Sequence, residues 1–322
     1  MGNRESMSQQ DDDPQVDLIA ELRAIALEIG FHSLGIAAAG RSPHADHYLD
    51  WIETGKHGSM EWMTRNVERR IDPRKSLPGA KSVIVVTLPY SSSVDESRDG
   101  GKIARYAQGR DYHKVMKPML EQLSRFVTND GEWKSWYTVD SSPLLERDWA
   151  QLAGVGWIGK NSLVIDLDIG SYFFLGTVVT DRPYPITSPV EDRCGECTRC
   201  IDACPTDALR TPRVIDSKDC ITHWNVEHRG PFPEEVRLSD WLLGCDRCQE
   251  VCPWNHRPAR LIPEIHPELV PRNPLTDLEK ISSISHDDWL DQYSGTPITR
   301  AGHPGLMRNA RKILEEREGP SK

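Results

Sequence analysis

The sequence of 322 residues has no apolar run approaching the ~18 residues of a membrane span. Its strongest run, Ser82 to Leu88, has the length of a buried strand, so a spanning helix and membrane partner are excluded. The opening stretch MGNRESMSQQDDDPQ lacks the apolar centre of a secretory signal and reads as a disordered leader over 1–16. Neither a G-x-G-x-x-G nor a phosphate-binding P-loop occurs, which leaves a nicotinamide or nucleotide site without support. Positive charge is also short. The formal net charge of −10 argues against nucleic-acid binding driven by bulk charge, though not against a local basic patch. With no export signal, the 8 cysteines point to a reducing cytoplasm and to metal ligation instead of disulfides.

Leu18, Leu22, Ile25, Ala26 and Ile29 recur at helical spacing and predict an amphipathic helix over 17–30. A short strand is expected over 33–38, a helix over 44–54, and a strand buried on both faces over 82–90. Residues 111–127 read as a helix with Val115, Met119, Leu120, Leu123 and Phe126 inward, kinked or broken near Pro118. A strand over 136–139, a helix over 143–152 and strands over 162–165 and 172–179 follow. This alternation predicts one α/β or α+β domain over 17–188. After Pro183, Pro185 and Pro189 the character changes, and every cysteine falls between Glu191 and His256. A separate small module is therefore expected over 189–260, then a Pro-rich connector and short helical segment over 261–322.

The run Cys194-Gly-Glu-Cys197-Thr-Arg-Cys200-Ile-Asp-Ala-Cys204-Pro205 is the ligand pattern of ferredoxins with two [4Fe–4S] clusters. Three cysteines wrap one cube and the fourth reaches the other. Cys245-Asp-Arg-Cys248-Gln-Glu-Val-Cys252-Pro253 is a second, broken copy, and Cys220 supplies its missing ligand. The partition then closes: Cys194, Cys197, Cys200 and Cys252 on the first cluster; Cys204, Cys220, Cys245 and Cys248 on the second. Paired CxxC motifs can also build tetrahedral zinc sites. The two x₃-C-P endings and the lack of histidines at zinc spacing favour iron–sulfur. Two cubes in series imply one-electron traffic and say nothing of the acceptor.

Three polar stretches precede the module: Arg69-Arg70-Ile-Asp72-Pro-Arg74-Lys75, a second running from Ala104 to His113, and Val139-Asp140-Ser-Ser-Pro-Leu-Leu-Glu146-Arg147. Asp140 reads either as a helix N-cap or as a carboxylate at a strand's C-terminal edge, where open α/β sheets place ligands. A proton donor there needs a raised pKa, which burial against an apolar cofactor supplies. Tyr112 and His113 serve equally well as ordinary helix residues, and Arg70 and Arg74 as surface ion-pair partners. Gly154, Gly156 and Gly159 suggest close backbone approach to a flat group, or a helix C-cap and turn.

Together, ARYAQGRDYHKV, TVDSSPLLER, GWIGKNSL, the two cysteine motifs, CITHWNVEHRGPFP and RAGHPGLMRNA resemble the epoxyqueuosine reductase family over about residues 15–312. The resemblance implies base-off cobalamin between the α/β domain and the bacterial-ferredoxin-like 2[4Fe–4S] module. It further implies reduction of an epoxide on a modified wobble base of tRNA to the alkene, with two electrons from an external donor. By motif matching, Asp140 is the expected proton donor. Arg70, Ala104, Val164 and Thr222 fall where the family contacts cobalamin, with Glu146 and Arg147 beside them; His113 and His223 are hydrogen-bonding residues or bystanders. Arg300, Arg308, Arg311 and Lys312, with Arg69 and Arg74 nearer the site mouth, are the expected tRNA-phosphate contacts, unless Arg308 to Lys312 is simply an exposed helix face. Longer family members append a HEAT-like domain beyond the segment matched here. The expected molecule is a cytoplasmic monomer. The alternatives are a corrinoid reductase of a small molecule resembling reductive dehalogenases, an electron carrier without a substrate, and a zinc-stabilised RNA-binding module.

Overall fold

A computed structural model describes residues 14–90, 100–256, 263–272 and 276–319. The leader expected over 1–16 lies almost wholly outside them, and residues 14–16 belong to the first helix. The first half runs α1 (Pro14–Ile29), β1 (Ser33–Ala38), α2 (Ala45–Glu53), α3 (Val67–Ile71) and β2 (Ser82–Pro89). It continues with β3 (Lys102–Ile103), α4 (Tyr112–Thr128), β4 (Ser135–Thr138), α5 (Glu146–Leu152), β5 (Trp157–Ile158), β6 (Val164–Ile165) and β7 (Phe173–Thr180).

Four strands form a sheet in the order β1-β2-β7-β4, with every pairing antiparallel. All eight residues of β2 are buried. Ile84, Val86 and Leu88 face one core with Leu22 and Ala26 of α1 and Met116, Leu120 and Leu123 of α4, while Val83 and Val85 face another with Trp149 and Ala150 of α5. The apolar run of β2 therefore reflects helices on both faces, not the parallel pairing such runs usually accompany. At Gly35 a Cβ would lie 2.0 Å from the carbonyl oxygen of Ala153, so only glycine lets α5 sit this close to β1. Asp111 caps α4 by accepting from the amide of His113, and Pro118 is accommodated within a continuous helix.

The remainder comprises α6 (Arg199–Asp202), a π-helical turn (His223–Glu227), β8 (Trp241–Leu243), α7 (Arg247–Glu250), α8 (Leu278–Ser282), α9 (His286–Tyr293) and α10 (His303–Glu318). The boundary expected at 260 cuts through a shared core. Ile221, Val226, Leu242 and Leu243 pack with Ile281, Tyr293, Leu306 and Ile313, and with Ile103 and Ala104 from the first half. β3 pairs in parallel with β8, stitching the cysteine segment to the sheet domain.

The RAGHPGLMRNA stretch explains this union. Asn309, fully buried, donates to the carbonyls of Asn225 and Leu242, and Asn225 donates to those of Trp241 and Gly244. Arg308 donates to the carbonyls of Trp224, His228 and Gly230 and lies 4.0 Å over the ring of Phe232. Buried carbonyls need such partners, so this motif is a fold determinant.

Candidate functional site

Cys194, Cys197, Cys200 and Cys252 line one cavity of about 350 Å³, with Lys160, Asn161, Arg193 and Trp254 around them. A space of that size suits a polyatomic cluster, and its four thiols are the set expected to hold the first one. Burial raises the thiol of Cys252 to about 11, with Cys194, Cys200 and Cys197 adding to the rise. Burial likewise raises Cys245, with contributions from Cys220 and Cys204, and Cys248, with contributions from Cys245 and Cys220. Cys200 of the first set also acts on Cys248, so all of these thiols lie within electrostatic reach of one another in one region. Thiols so unwilling to ionise alone suit sites where iron supplies the compensating positive charge.

Asp140 lies just past the end of β4 with a left-handed backbone, φ +52°, which Asp and Asn tolerate better than other side chains. It is exposed and is not a helix N-cap: α5 begins only at Glu146, after Leu145. The antiparallel sheet also removes the open α/β rationale for a ligand at this edge. A local reason replaces both. The phenol of Tyr112 donates to Asp140 Oδ2 at 2.7 Å, and the amide of Asp140 donates to both oxygens of Glu146 at 3.2 and 3.1 Å. Tyr112 is held by face-to-face stacking on Phe174, with centroids 4.2 Å apart, and stacks on the ring of His113 at 4.2 Å as well. Burial, aided by the charge of Asp140, raises the phenol's pKa and keeps it a donor. Burial and the charge of Asp140 push Glu146 up to about 8.

Arg300 is fixed in a fork by Glu227, at 3.0 and 2.7 Å, and Glu227, with the charge of Asp140 adding to it, reinforces its protonated form. Its segment sits over the start of α4, where the amide of Asp111 donates to the carbonyl of Gly295 at 2.7 Å. Arg300 therefore belongs to the surroundings of Asp140. Arg311 donates to the carbonyl of Ser282, and Arg74 is bound by Asp72. Arg308, Arg311 and Arg74 thus each have structural partners within the chain, and the phosphate contacts expected of them stand beside these roles. Lys312 is half-buried.

Arg70 lies 5.4 Å over the ring of Trp62 and donates to its carbonyl, while its Nε is buried without a partner. Arg147 donates to the carbonyl of Ser162, whose hydroxyl is also buried and unpartnered. Ala104 and Val164 are buried, and Thr222 is half-buried at the start of the π-helical turn. The next residue, His223, receives the amide of Ser59 on Nε2 at 3.0 Å. Its proton must then sit on Nδ1, which is buried and unpartnered, and burial lowers its pKa to about 4, keeping the ring neutral. Gly58 makes this contact possible, since a Cβ there would lie 2.7 Å from His223 Nε2. Gly154, Gly156 and Gly159 are explained by packing within the chain: each would clash with Ser188, Ile165 or Asn161.

Tyr112 was left open by the sequence, although the D-Y-H triplet marked it; Ser59 gave no signal. Among the described residues no helix is long and apolar enough to cross a membrane.

A two-sided antiparallel sheet domain joined to eight cysteines in two groups defines a two-cluster iron–sulfur protein. Residues 193–255 match the model of the 4Fe-4S double cluster binding domain, and residues 70–141 that of epoxyqueuosine reductase QueG, DUF1730. The chain is 38% identical over 305 residues to the epoxyqueuosine reductase of Xanthomonas campestris, covering 91% of this chain and 85% of that one. It is 36% identical over 303 residues to that of Leadbetterella byssophila, covering 93% of this chain and 99% of the relative. A crystal structure of epoxyqueuosine reductase with a tRNA-Tyr epoxyqueuosine-modified stem loop superposes with a TM-score of 0.84 at 30% identity, covering 93% of this chain and 81% of that one. The Bacillus subtilis structure, described with an aspartate catalytic loop swung out of the active site, gives 0.83 at 29%, with coverages of 93% and 81%. The chain belongs to the epoxyqueuosine reductase family.

Proposed function

We propose that this protein reduces the epoxide of epoxyqueuosine at the wobble position of tRNA to the alkene of queuosine. The reaction consumes two electrons and two protons and releases the epoxide oxygen as water. The observation that carries the reading is the Tyr112–Asp140–Glu146 arrangement in a family member whose cysteines group as two cluster sites.

Asp140 is the acid that protonates the departing oxygen, and Tyr112 orients it. A catalytic aspartate loop in the Bacillus subtilis relative supports this role. Glu146 holds the Asp140 loop through its amide and keeps a proton beside it near neutral pH.

Cobalamin is the cofactor the family resemblance implies. Among or beside the residues proposed for its site lie buried unpartnered polar atoms, Arg70 Nε, the Ser162 Oγ next to Arg147 and the His223 Nδ1 next to Thr222, fit to receive the amide groups of a corrin. Arg70, Ala104, Val164 and Thr222, with Glu146 and Arg147, are the residues that would hold it. When bound it supplies a low-valent cobalt able to donate electrons to the epoxide carbon. Cys194, Cys197, Cys200 and Cys252 would hold one [4Fe–4S] cluster and Cys204, Cys220, Cys245 and Cys248 the other, fed by an external donor. Arg300 would contact the RNA near the reacting base, and Lys312 a more distant phosphate. The enzyme would act in the cytoplasm as a monomer.

The test is anaerobic. Cluster-reconstituted protein is given a strong reductant and an epoxyqueuosine-bearing stem loop, with and without cobalamin, and the nucleosides are read by mass spectrometry. Loss of one oxygen only with cobalamin supports the reading; no loss despite bound cobalamin overturns it.

A further inference from the structure

Trp62, in the 3-10 turn Glu61–Thr64, is 39% exposed, one of few large apolar side chains so placed among the described residues. It is not a loose surface residue. Arg70 reaches back from α3, lies over its ring at 5.4 Å and donates to its carbonyl at 3.2 Å. The turn rests on a small apolar cluster of Ala45, Tyr48, Ile71, Trp51, Met63 and Val67. Leu145 packs into the same cluster, and its amide donates to the carbonyl of Arg70 at 3.3 Å. Leu145 immediately precedes Glu146, which holds the Asp140 loop. The indole is therefore joined to the proposed acid through Arg70, Leu145 and Glu146 in turn.

Beside it, Arg65 and Arg69 are exposed and form no ion pair among the described residues, in a chain of net charge −10. Elsewhere Arg74, Arg308 and Arg311 already serve partners within the chain, and Arg300 is held by Glu227 beside the proposed acid. A rigid, half-exposed indole backed by a guanidinium and flanked by two free cations has the composition of a single-strand stacking platform.

Resting on the proposed function, we infer that Trp62 and Arg70 form a stacking platform for an RNA nucleobase next to the reacting wobble nucleoside. Arg65 and Arg69 draw in the phosphates on either side. A base splayed from the anticodon loop would lie flat on the indole face that Arg70 leaves open. The loop would be held in register while the wobble base enters toward Asp140. The platform reads no sequence, since every base offers a π-face, so it contributes affinity and position and leaves specificity to the pocket.

The experiment compares wild type, Trp62→Phe, Trp62→Ala and Arg65→Gln/Arg69→Gln, each with clusters and cobalamin loaded, on an anticodon stem loop carrying epoxyqueuosine. Stem-loop affinity is followed by fluorescence anisotropy, cobalamin affinity by absorbance and conversion by mass spectrometry. Trp62→Ala should weaken stem-loop binding roughly 10- to 100-fold and Trp62→Phe should restore most of it, with cobalamin affinity unchanged. The double arginine variant should flatten the salt dependence of binding, lowering the slope by about 1 to 2 phosphates. Wild-type affinity in Trp62→Ala overturns the platform, as does a loss of cobalamin affinity with RNA affinity intact. If wild-type protein fails to convert the stem loop, the functional reading fails first and the platform with it.

Discussion

The phenol of Tyr112 and the carboxylate of Asp140 meet at 2.7 Å, joining the first turn of α4 to a loop residue of left-handed backbone beyond β4. Twenty-seven residues of helix, turn and strand separate them in the chain, and the sheet edge brings them together. With Phe174 behind the tyrosine ring and Glu146 under the aspartate amide, the pair has little freedom to move apart. The geometry holds the Asp140 carboxyl in a fixed position, as the acid role proposed for it requires.

Removing the phenol should show whether it orients the acid. Tyr112→Phe keeps the stack on Phe174 and loses only the hydrogen bond. Turnover should fall about 10-fold or more, with cluster and cobalamin spectra unchanged. Wild-type turnover in this variant would make the contact incidental.

Glu146 predicts a pH dependence of stability. In the folded chain burial and the charge of Asp140 hold its proton up to about 8, whereas the unfolded chain releases it near the ordinary 4.5. Between these values the folded state binds more protons, so this group's contribution falls as pH rises through the window. Glu146→Gln should flatten that part of the profile of apparent melting temperature, measured anaerobically at a series of pH values. Equal slopes for the two proteins would contradict the assignment.

The partition of the cysteines is testable by one substitution. Cys220→Ser removes a ligand from the second group and should halve the iron and acid-labile sulfide per chain. One [4Fe–4S] signal should remain on reduction. Full iron content in that variant would place Cys220 outside the ligand set.

Arg308 separates structure from RNA binding. Its guanidinium serves three backbone carbonyls and the ring of Phe232, so Arg308→Ala should lower stability by roughly 2–3 kcal/mol. Stem-loop binding by the folded fraction should keep its salt dependence. A reduced salt slope with unchanged stability would return Arg308 to the phosphate contacts.

Much of this was legible because it was local. β1 falls over 33–38 as its apolar pattern predicts, and Asp111 ahead of an apolar helical pattern marks the start of α4. The cysteine spacing is itself the ligand geometry of a cluster, so the two groups could be written down before any fold was known. What stayed hidden was non-local. Whether β2 pairs parallel or antiparallel depends on connections its own residues do not encode. The basic run Arg308 to Lys312 reads as a charged face because nothing in it shows the carbonyls of 224–230 waiting opposite. The same holds for the proton: sequence points to Asp140, but only the packed site shows burial acting on Glu146 and Tyr112 while Asp140 remains exposed.

The most direct test is a single-turnover comparison of wild type with Asp140→Asn, chosen because asparagine tolerates the same left-handed backbone. Both proteins, with clusters and cobalamin reduced, are mixed anaerobically with an epoxyqueuosine stem loop and the nucleosides weighed. Wild type should yield a nucleoside lighter by one oxygen. Asp140→Asn should convert about 10²- to 10⁴-fold more slowly with its reduced spectra intact. Conversion at equal rates would contradict the account of the acid, and an unchanged nucleoside in both would contradict the reaction itself.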